Sequence, residues 1–250
     1  MSNISKLDTT LVFLDISYAK NVTDEGLKAF EGKVFPCFNS LNINGVTGIT
    51  SIGLKNWLKS FSETLLDLEM ALCDQDDMKA EFFETLGACY NLESVDCTGC
   101  YAIDDMLQMN FEKATVRIND QETKPGWQTC HTAKLCGLNI SDIPLMALAK
   151  AMPNLEHLEV TKCEKLTEFG LKSVLETNGG KLKFLDINHI PAVTYPFLDE
   201  LKDTHPDLLI KRHTYQDVDF KKDNGLRVPR RLKIDIKKKK KKKGKKGKKK

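Results

Sequence analysis

No stretch of this 250-residue chain approaches the run of about 20 apolar residues that a membrane span requires, and Ser2 follows Met1 where N-myristoylation would need a glycine. No basic-plus-apolar secretory leader opens it. Glycine-rich phosphate loops, H-E-x-x-H and G-x-S-x-G are all missing, and the five histidines are scattered, so the common signatures of phosphoryl transfer, zinc proteolysis and serine hydrolysis are excluded. These absences predict a protein that is not an enzyme, uses no cofactor and takes no small-molecule substrate.

What is present is an ordinary globular composition, 41 % apolar and 29 % charged, with an uneven distribution of charge. Residues 237–250 hold 12 of the lysines, so the other 236 residues set 26 basic side chains against all 35 acidic ones, a net of −9. An acidic body therefore carries a basic tail. The eight cysteines (Cys37, Cys73, Cys89, Cys97, Cys100, Cys130, Cys136, Cys163) fit a reducing, cytoplasmic compartment, with most of them acting as small buried apolar groups at a repeating position.

That position belongs to a strict period. Apolar-x-apolar triplets occur at Leu14-Asp15-Ile16, Leu41-Asn42-Ile43, Leu68-Glu69-Met70 and Val95-Asp96-Cys97, each 27 residues from the next. The pattern resumes at Ala133-Lys134-Leu135, Leu158-Glu159-Val160 and Leu185-Asp186-Ile187, and a degenerate Leu208-Leu209-Ile210 closes the array. Three residues past each triplet comes a small or apolar residue: Ala19, Val46, Cys73, Cys100, Leu138, Cys163 and Ile190. Strings such as Thr23-Asp24-Glu25-Gly26-Leu27 and Thr167-Glu168-Phe169-Gly170-Leu171 then read as helix starts, with Thr or Asp accepting hydrogen bonds from the free amides of the first turn. Pro36, Pro153 and Gly179-Gly180 mark helix exits. Each unit is thus strand, turn, helix.

The strings LVFLDISYAKNVTDEGL, LEHLEVTKCEKLTEFGL and LESVDCTGCYAIDD resemble the cysteine-containing class of leucine-rich repeats over roughly residues 11–212. The resemblance implies an α/β solenoid, a right-handed β-α superhelix of horseshoe form with a parallel β-sheet on its concave face. Members of that class are often substrate-recognition parts of ubiquitin ligases with an F-box ahead of the repeats; here the repeats begin almost at Met1, so no F-box is expected. The expected organisation is an N-terminal cap (1–10), the repeat domain (11–212), a C-terminal extension (213–236) and a disordered lysine tail (237–250). Between Val95 and Ala133 the spacing is 38 residues instead of 27, which places an irregular insertion at about 108–130, including the polar run Asn119 to Gly126 and Trp127. It reads either as a surface loop or as one degenerate unit.

Strand side chains alternate, so the middle residues of the triplets should form an exposed column on the concave face: Asp15, Asn42, Glu69, Asp96, Lys134, Glu159 and Asp186. Five acids in seven positions predict a negative stripe that draws in a basic partner, against the plainer reading that exposed ladder positions accept any polar residue. Phe13, Tyr18, His157 and Phe184 flank the column as candidate anchors. In the tail, Arg230, Arg231 and Lys233 lead into Lys237, Lys238, Lys239, Lys240, Lys241, Lys242, Lys243, Lys245, Lys246, Lys248, Lys249 and Lys250. This run suits any polyanion, such as RNA, an acidic protein or the tails of tubulin, through salt-dependent counterion release, and would also serve nuclear import; its plain alternative is a solubilising appendage. Cys97, Cys100, Cys130, His131 and Cys136 imitate a zinc set, but the repeat register already gives Cys97 and Cys100 core positions, so no metal is expected.

The sequence therefore predicts a scaffold or structural subunit of a multi-subunit assembly, architecturally similar to small repeat subunits of cytoskeletal and ciliary complexes. A ubiquitin-ligase adaptor and an RNA- or ribosome-associated factor are the alternatives.

Overall fold

In a computed structural model, described here for residues 6, 10–73, 85–105, 116–118, 121–123, 127–178 and 180–213, the triplets are the rungs of one parallel sheet. Its eight strands are β1 (Phe13–Asp15), β2 (Ser40–Asn42), β3 (Asp67–Glu69), β4 (Ser94–Asp96), β7 (Thr132–Lys134), β8 (His157–Glu159), β9 (Phe184–Asp186) and β10 (Leu209–Lys211), in that spatial order. β5 (Val116–Ile118) and β6 (Gln121–Thr123) make a separate antiparallel pair. The chain divides into two units, 1–213 and 214–250, and the second lies outside the described residues. No helix among the described residues is long and apolar enough to cross a membrane.

Register runs straight across the sheet: Leu14, Leu41, Leu68, Val95, Ala133, Leu158, Leu185 and Ile210 are direct neighbours in turn. All but the last are buried, and their faces meet helices that follow the strands: α1 (Asp24–Leu27), α2 (Ser51–Leu58), α3 (Asp142–Ala151), α4 (Glu168–Asn178) and α5 (Tyr195–Thr204). Leu54, Trp57 and Leu58 on α2, or Leu171, Val174 and Leu175 on α4, show the helical spacing that places one apolar stripe on the core. The helix-side core of the first repeats is aromatic, with Phe30, Phe35, Phe38, Trp57 and Phe61 joined through ring centroids 4.7 to 6.3 Å apart.

The repeating cysteine has a specific task. The thiols of Cys73, Cys100 and Cys163 donate to the carbonyls of Ile43, Met70 and Leu135 in the preceding repeat, each at 3.0 Å. A side chain small enough for the core thus also satisfies a backbone acceptor. Burial pushes the Cys73 thiol up to about 11 and those of Cys89, Cys130 and Cys163 up to about 12, so these groups are inert as nucleophiles at neutral pH.

The helix-start motif is a junction between repeats. Thr50 and Thr194 cap their own helices, accepting from the amides of Gly53 and Phe197. The acidic residue does not cap its own helix, as expected from sequence, but reaches to the next repeat. Asp24 accepts from the amide and hydroxyl of Thr50 (2.8 and 2.5 Å), Asp142 from those of Thr167 (2.8 and 2.5 Å), and Glu168 from those of Thr194 (2.8 and 2.6 Å). Gly53 and Gly170 are glycines because a Cβ at either would collide with the carboxylate arriving from the preceding repeat.

Two expectations require correction. Leu208-Leu209-Ile210 is not the final triplet, since Ile210 stands beside Leu185 and Lys211 beside Asp186; the last unit is two residues shorter than a 27-residue repeat. The insertion does not extend to residue 130: Trp127 is buried and donates through Nε1 to the Leu86 carbonyl at 3.0 Å, and Cys130 is buried in the core position that Leu65, Leu92 and Leu155 occupy in other repeats. β4 pairs directly with β7, so the extra segment adds no rung to the main sheet.

Candidate protein-interaction face

The sheet face turned away from the helices carries three aligned columns. The middle column is continuous in register from Asp15 through Asn42, Glu69, Asp96, Lys134, Glu159 and Asp186 to Lys211. Two residues earlier on each strand lies a second column: Phe13, Ser40, Asp67, Ser94, Thr132, His157, Phe184 and Leu209. A third column, two residues later, begins with Ser17 and Asn44.

The uniform acidic stripe expected from the triplets divides into two halves. Over β1 to β4 the face presents Asp15, Asp67, Glu69, Glu93 and Asp96 with no lysine or arginine in those strands or beside them in the third column. Among the described residues, Asp15 and Glu69 bond to neutral groups only: Asp15 accepts from the Ser17 amide at 2.8 Å, Glu69 from the Asn42 and Asn44 amide groups at 3.0 and 2.9 Å. Burial, reinforced by the charges of Glu93 and Glu69, raises the Asp67 carboxyl above its ordinary range despite the opposing pull of His131. The charges of Glu93 and Glu69 thus add to the negative potential at Asp67.

Over β7 to β10 the acids are matched within the sheet itself. Lys183 pairs with Glu156 at 2.6 Å, His157 lies 2.8 Å from Glu159, and Lys211 pairs with Asp186 at 2.8 Å. Lys134 reaches back to Asp96 at 3.7 Å, and His131 lies 3.8 Å from Glu93. Asp186, expected to be exposed, is 2 % exposed. Burial works to raise its carboxyl, but hydrogen bonds from Lys211, Thr161 and the Asn188 amide outweigh this and hold it below the ordinary carboxylate range.

The four flanking candidates also separate. Phe13 and Tyr18 are exposed, at 53 % and 63 %. His157 and Phe184 instead stack on each other, rings 4.2 Å apart and nearly parallel at 9°, and are half-buried, so they are one rigid platform rather than two free anchors. The basic candidates from Arg230 to Lys250 lie outside the described residues.

Sequence reasoning missed Asp67 and Glu93, although Asp67 shares the column of Phe13 and Phe184 and period-two alternation was enough to find it. It also missed the rim where the strands end. Tyr18, Gly45, Leu72, Gly99, Gly137, Lys162 and His189, each four residues past a buried central residue, all have left-handed backbones with φ between 57° and 74°. The Tyr18 ring lies where a Cβ on Gly45 would be, and the Leu72 side chain where one on Gly99 would be, so these two rim residues rest on a glycine of the next repeat. Of the zinc-like set, Cys97 is buried and Cys100 is engaged with Met70, and the described residues contain no group of three metal-ligating side chains. A hollow of about 190 Å³ between α1 and α2, lined by Asp24, Leu27, Ile52 and Trp57, is smaller than the roughly 300 Å³ at which small-molecule sites begin.

No family model matches the sequence. A chain of the crystal structure of the yeast Rad7 and Elc1 complex is similar in fold, with a TM-score of 0.55 at 17 % identity, covering 82 % of this chain and 55 % of that one. The protein thus spans about half the length of that neighbour. With one parallel eight-stranded sheet backed by helices, the fold is an α/β solenoid of the leucine-rich-repeat kind.

Proposed function

We propose that this chain is a non-catalytic interaction scaffold of a multi-subunit assembly, cytoskeletal or ciliary in character, whose open sheet face docks a basic segment of a protein partner while its lysine run meets a polyanion. The observation that carries this reading is the group Asp15, Asp67 and Glu69 on the acidic half of the face, held by strands that contain no lysine or arginine. A water-exposed sheet surface with fixed carboxylates at rung spacing favours an extended cationic segment over a compact small molecule. Exposed Phe13 and Tyr18 border that half and supply apolar contact area.

The test is a comparison of charge reversals. Asp67→Lys with Glu69→Lys is expected to release partners recovered from a native extract by cross-linking, whereas Glu159→Lys, whose native carboxylate is already engaged by His157, is expected to have a much smaller effect. Equal effects from the two halves would remove the acidic half as the docking site.

A second reading has its own support. The cysteine-type repeats resemble those of ubiquitin-ligase substrate receptors, and the similar chain was solved in a complex of two proteins. On that reading the same face selects a substrate, and recovery of a cullin scaffold in the cross-linked material favours it. The RNA- or ribosome-associated reading rests on the lysine run and predicts nuclease-sensitive co-sedimentation.

A further inference from the structure

Among the described residues, β1 and β10 are the end strands of the sheet, and they are complementary. Each end leaves apolar residues half-covered: Leu11 and Ile16 at the first rung, Leu208 and Ile210 at the last, whereas Phe38, Ile43 and Leu185, which hold the places of Leu11, Ile16 and Ile210 at interior rungs, are buried. Each also exposes large apolar groups to solvent, Val12 (49 %) and Phe13 (53 %) at β1 and Leu209 (64 %) at β10. A parallel strand added beyond β10 in the register used throughout the sheet would place its three residues beside Leu209, Ile210 and Lys211.

The inner neighbour of β10 shows which three residues suit it. β9 is Phe184-Leu185-Asp186, and it sets Phe184 beside Leu209, Leu185 beside Ile210, and Asp186 in an ion pair with Lys211 at 2.8 Å. β1 is Phe13-Leu14-Asp15, the same tripeptide in the same order. We propose that copies of this chain associate head to tail, β1 of one copy adding as the next parallel strand on β10 of another. Phe13 then packs on Leu209, Leu14 covers Ile210, and Asp15 takes the side of Lys211 away from Asp186. The backbone bonds follow the pattern of the existing junctions, in which Ile16, Ile43, Met70 and Ile187 donate to the carbonyls of Asn42, Glu69, Asp96 and Lys211 of the next rung; at the new junction Arg212 donates to Asp15. Because the two surfaces differ, the association does not close on itself as a two-fold dimer, and each added copy leaves one β1 and one β10 free.

The test uses the full chain and two variants at exposed positions, Phe13→Lys and Leu209→Glu, neither of which removes a core contact. In sedimentation velocity over a concentration series up to the sub-millimolar range, the unmodified chain is expected to pass from monomer to a distribution of larger species. Each variant alone is expected to need at least about tenfold higher concentration for the same average mass. An equimolar mixture of the two is expected to regain most of the association, because one of its junctions is native and the other sets the introduced ammonium of one copy beside the introduced carboxylate of its neighbour. A chain that stays monomeric throughout, or association indifferent to both variants, overturns the proposal, as does a mixture no more associated than its components. Unchanged melting temperatures of the two variants confirm that the comparison is between folded chains.

Discussion

At the scale of single residues, the repeat motif is decided by one carboxylate and one missing methyl group. Asp24 spans from its own repeat to the amide and hydroxyl of Thr50, and Gly53 leaves the room in which it does so. Gly53 lies inside α2, where alanine would ordinarily stabilise by about 1 kcal/mol. Here Gly53→Ala is expected to destabilise by about 1–2 kcal/mol in urea unfolding, because the new Cβ displaces the carboxylate and leaves the Thr50 groups to water. In an Asp24→Ala background the obstacle is gone, and the same substitution should turn neutral or stabilising. Additive effects in that cycle would show that the glycine is unrelated to the clamp.

Among the elements, strands and helices were largely legible and their junctions were not. The 27-residue interval located the central leucines, and Cys73, Cys100 and Cys163 stood out because a thiol is one of few groups that fits a close-packed core and still satisfies a carbonyl of the previous repeat. The last rung was misplaced because Leu208, Leu209 and Ile210 are all apolar and periodicity has nothing to choose between them; only pairing to Leu185 fixes the register. The acidic column was legible as composition but not as electrostatics, since Lys183 and Lys211 reach their acids through strand pairing that a linear pattern does not show. One of those pairs gives a signed prediction. The Asp186 carboxyl is held below its ordinary value of 3.8, so its contribution to stability is complete above that pH and is lost as pH falls through the lower folded-state value. Asp186→Asn is therefore expected to cost about 1.5–3 kcal/mol at pH 7, the worth of hydrogen bonds to a charged group, and progressively less below about pH 4. A cost equal at pH 7 and pH 3 would mean that shape, and not charge, is what Asp186 supplies.

For the whole molecule the governing fact is the separation of charge between a body of net −9 and a run of 12 lysines. The proposed function assigns opposite recognition chemistries to these two parts of the sequence, and they are expected to respond differently to the same manipulation. Removing residues 237–250 takes the net charge from +3 to −9; on the proposed function this is expected to abolish polyanion binding and to strengthen the long-range attraction of basic partners to the acidic half of the sheet. With about half of the lysines engaged on an RNA or on acidic tubulin tails, counterion release predicts a fall in affinity of roughly 10²–10³ for a fourfold rise in salt. Titration of fluorescent polyuridylate or an acidic tubulin-tail peptide with full-length and truncated chains at two salt concentrations measures this directly. The full chain is expected to show the steep salt slope and the truncated chain no binding, while cross-linking of basic partners to the sheet face persists in both. If the truncated chain kept its polyanion affinity, the basic run would be excluded as the site; if truncation also abolished docking on the sheet face, the two chemistries would be parts of one surface.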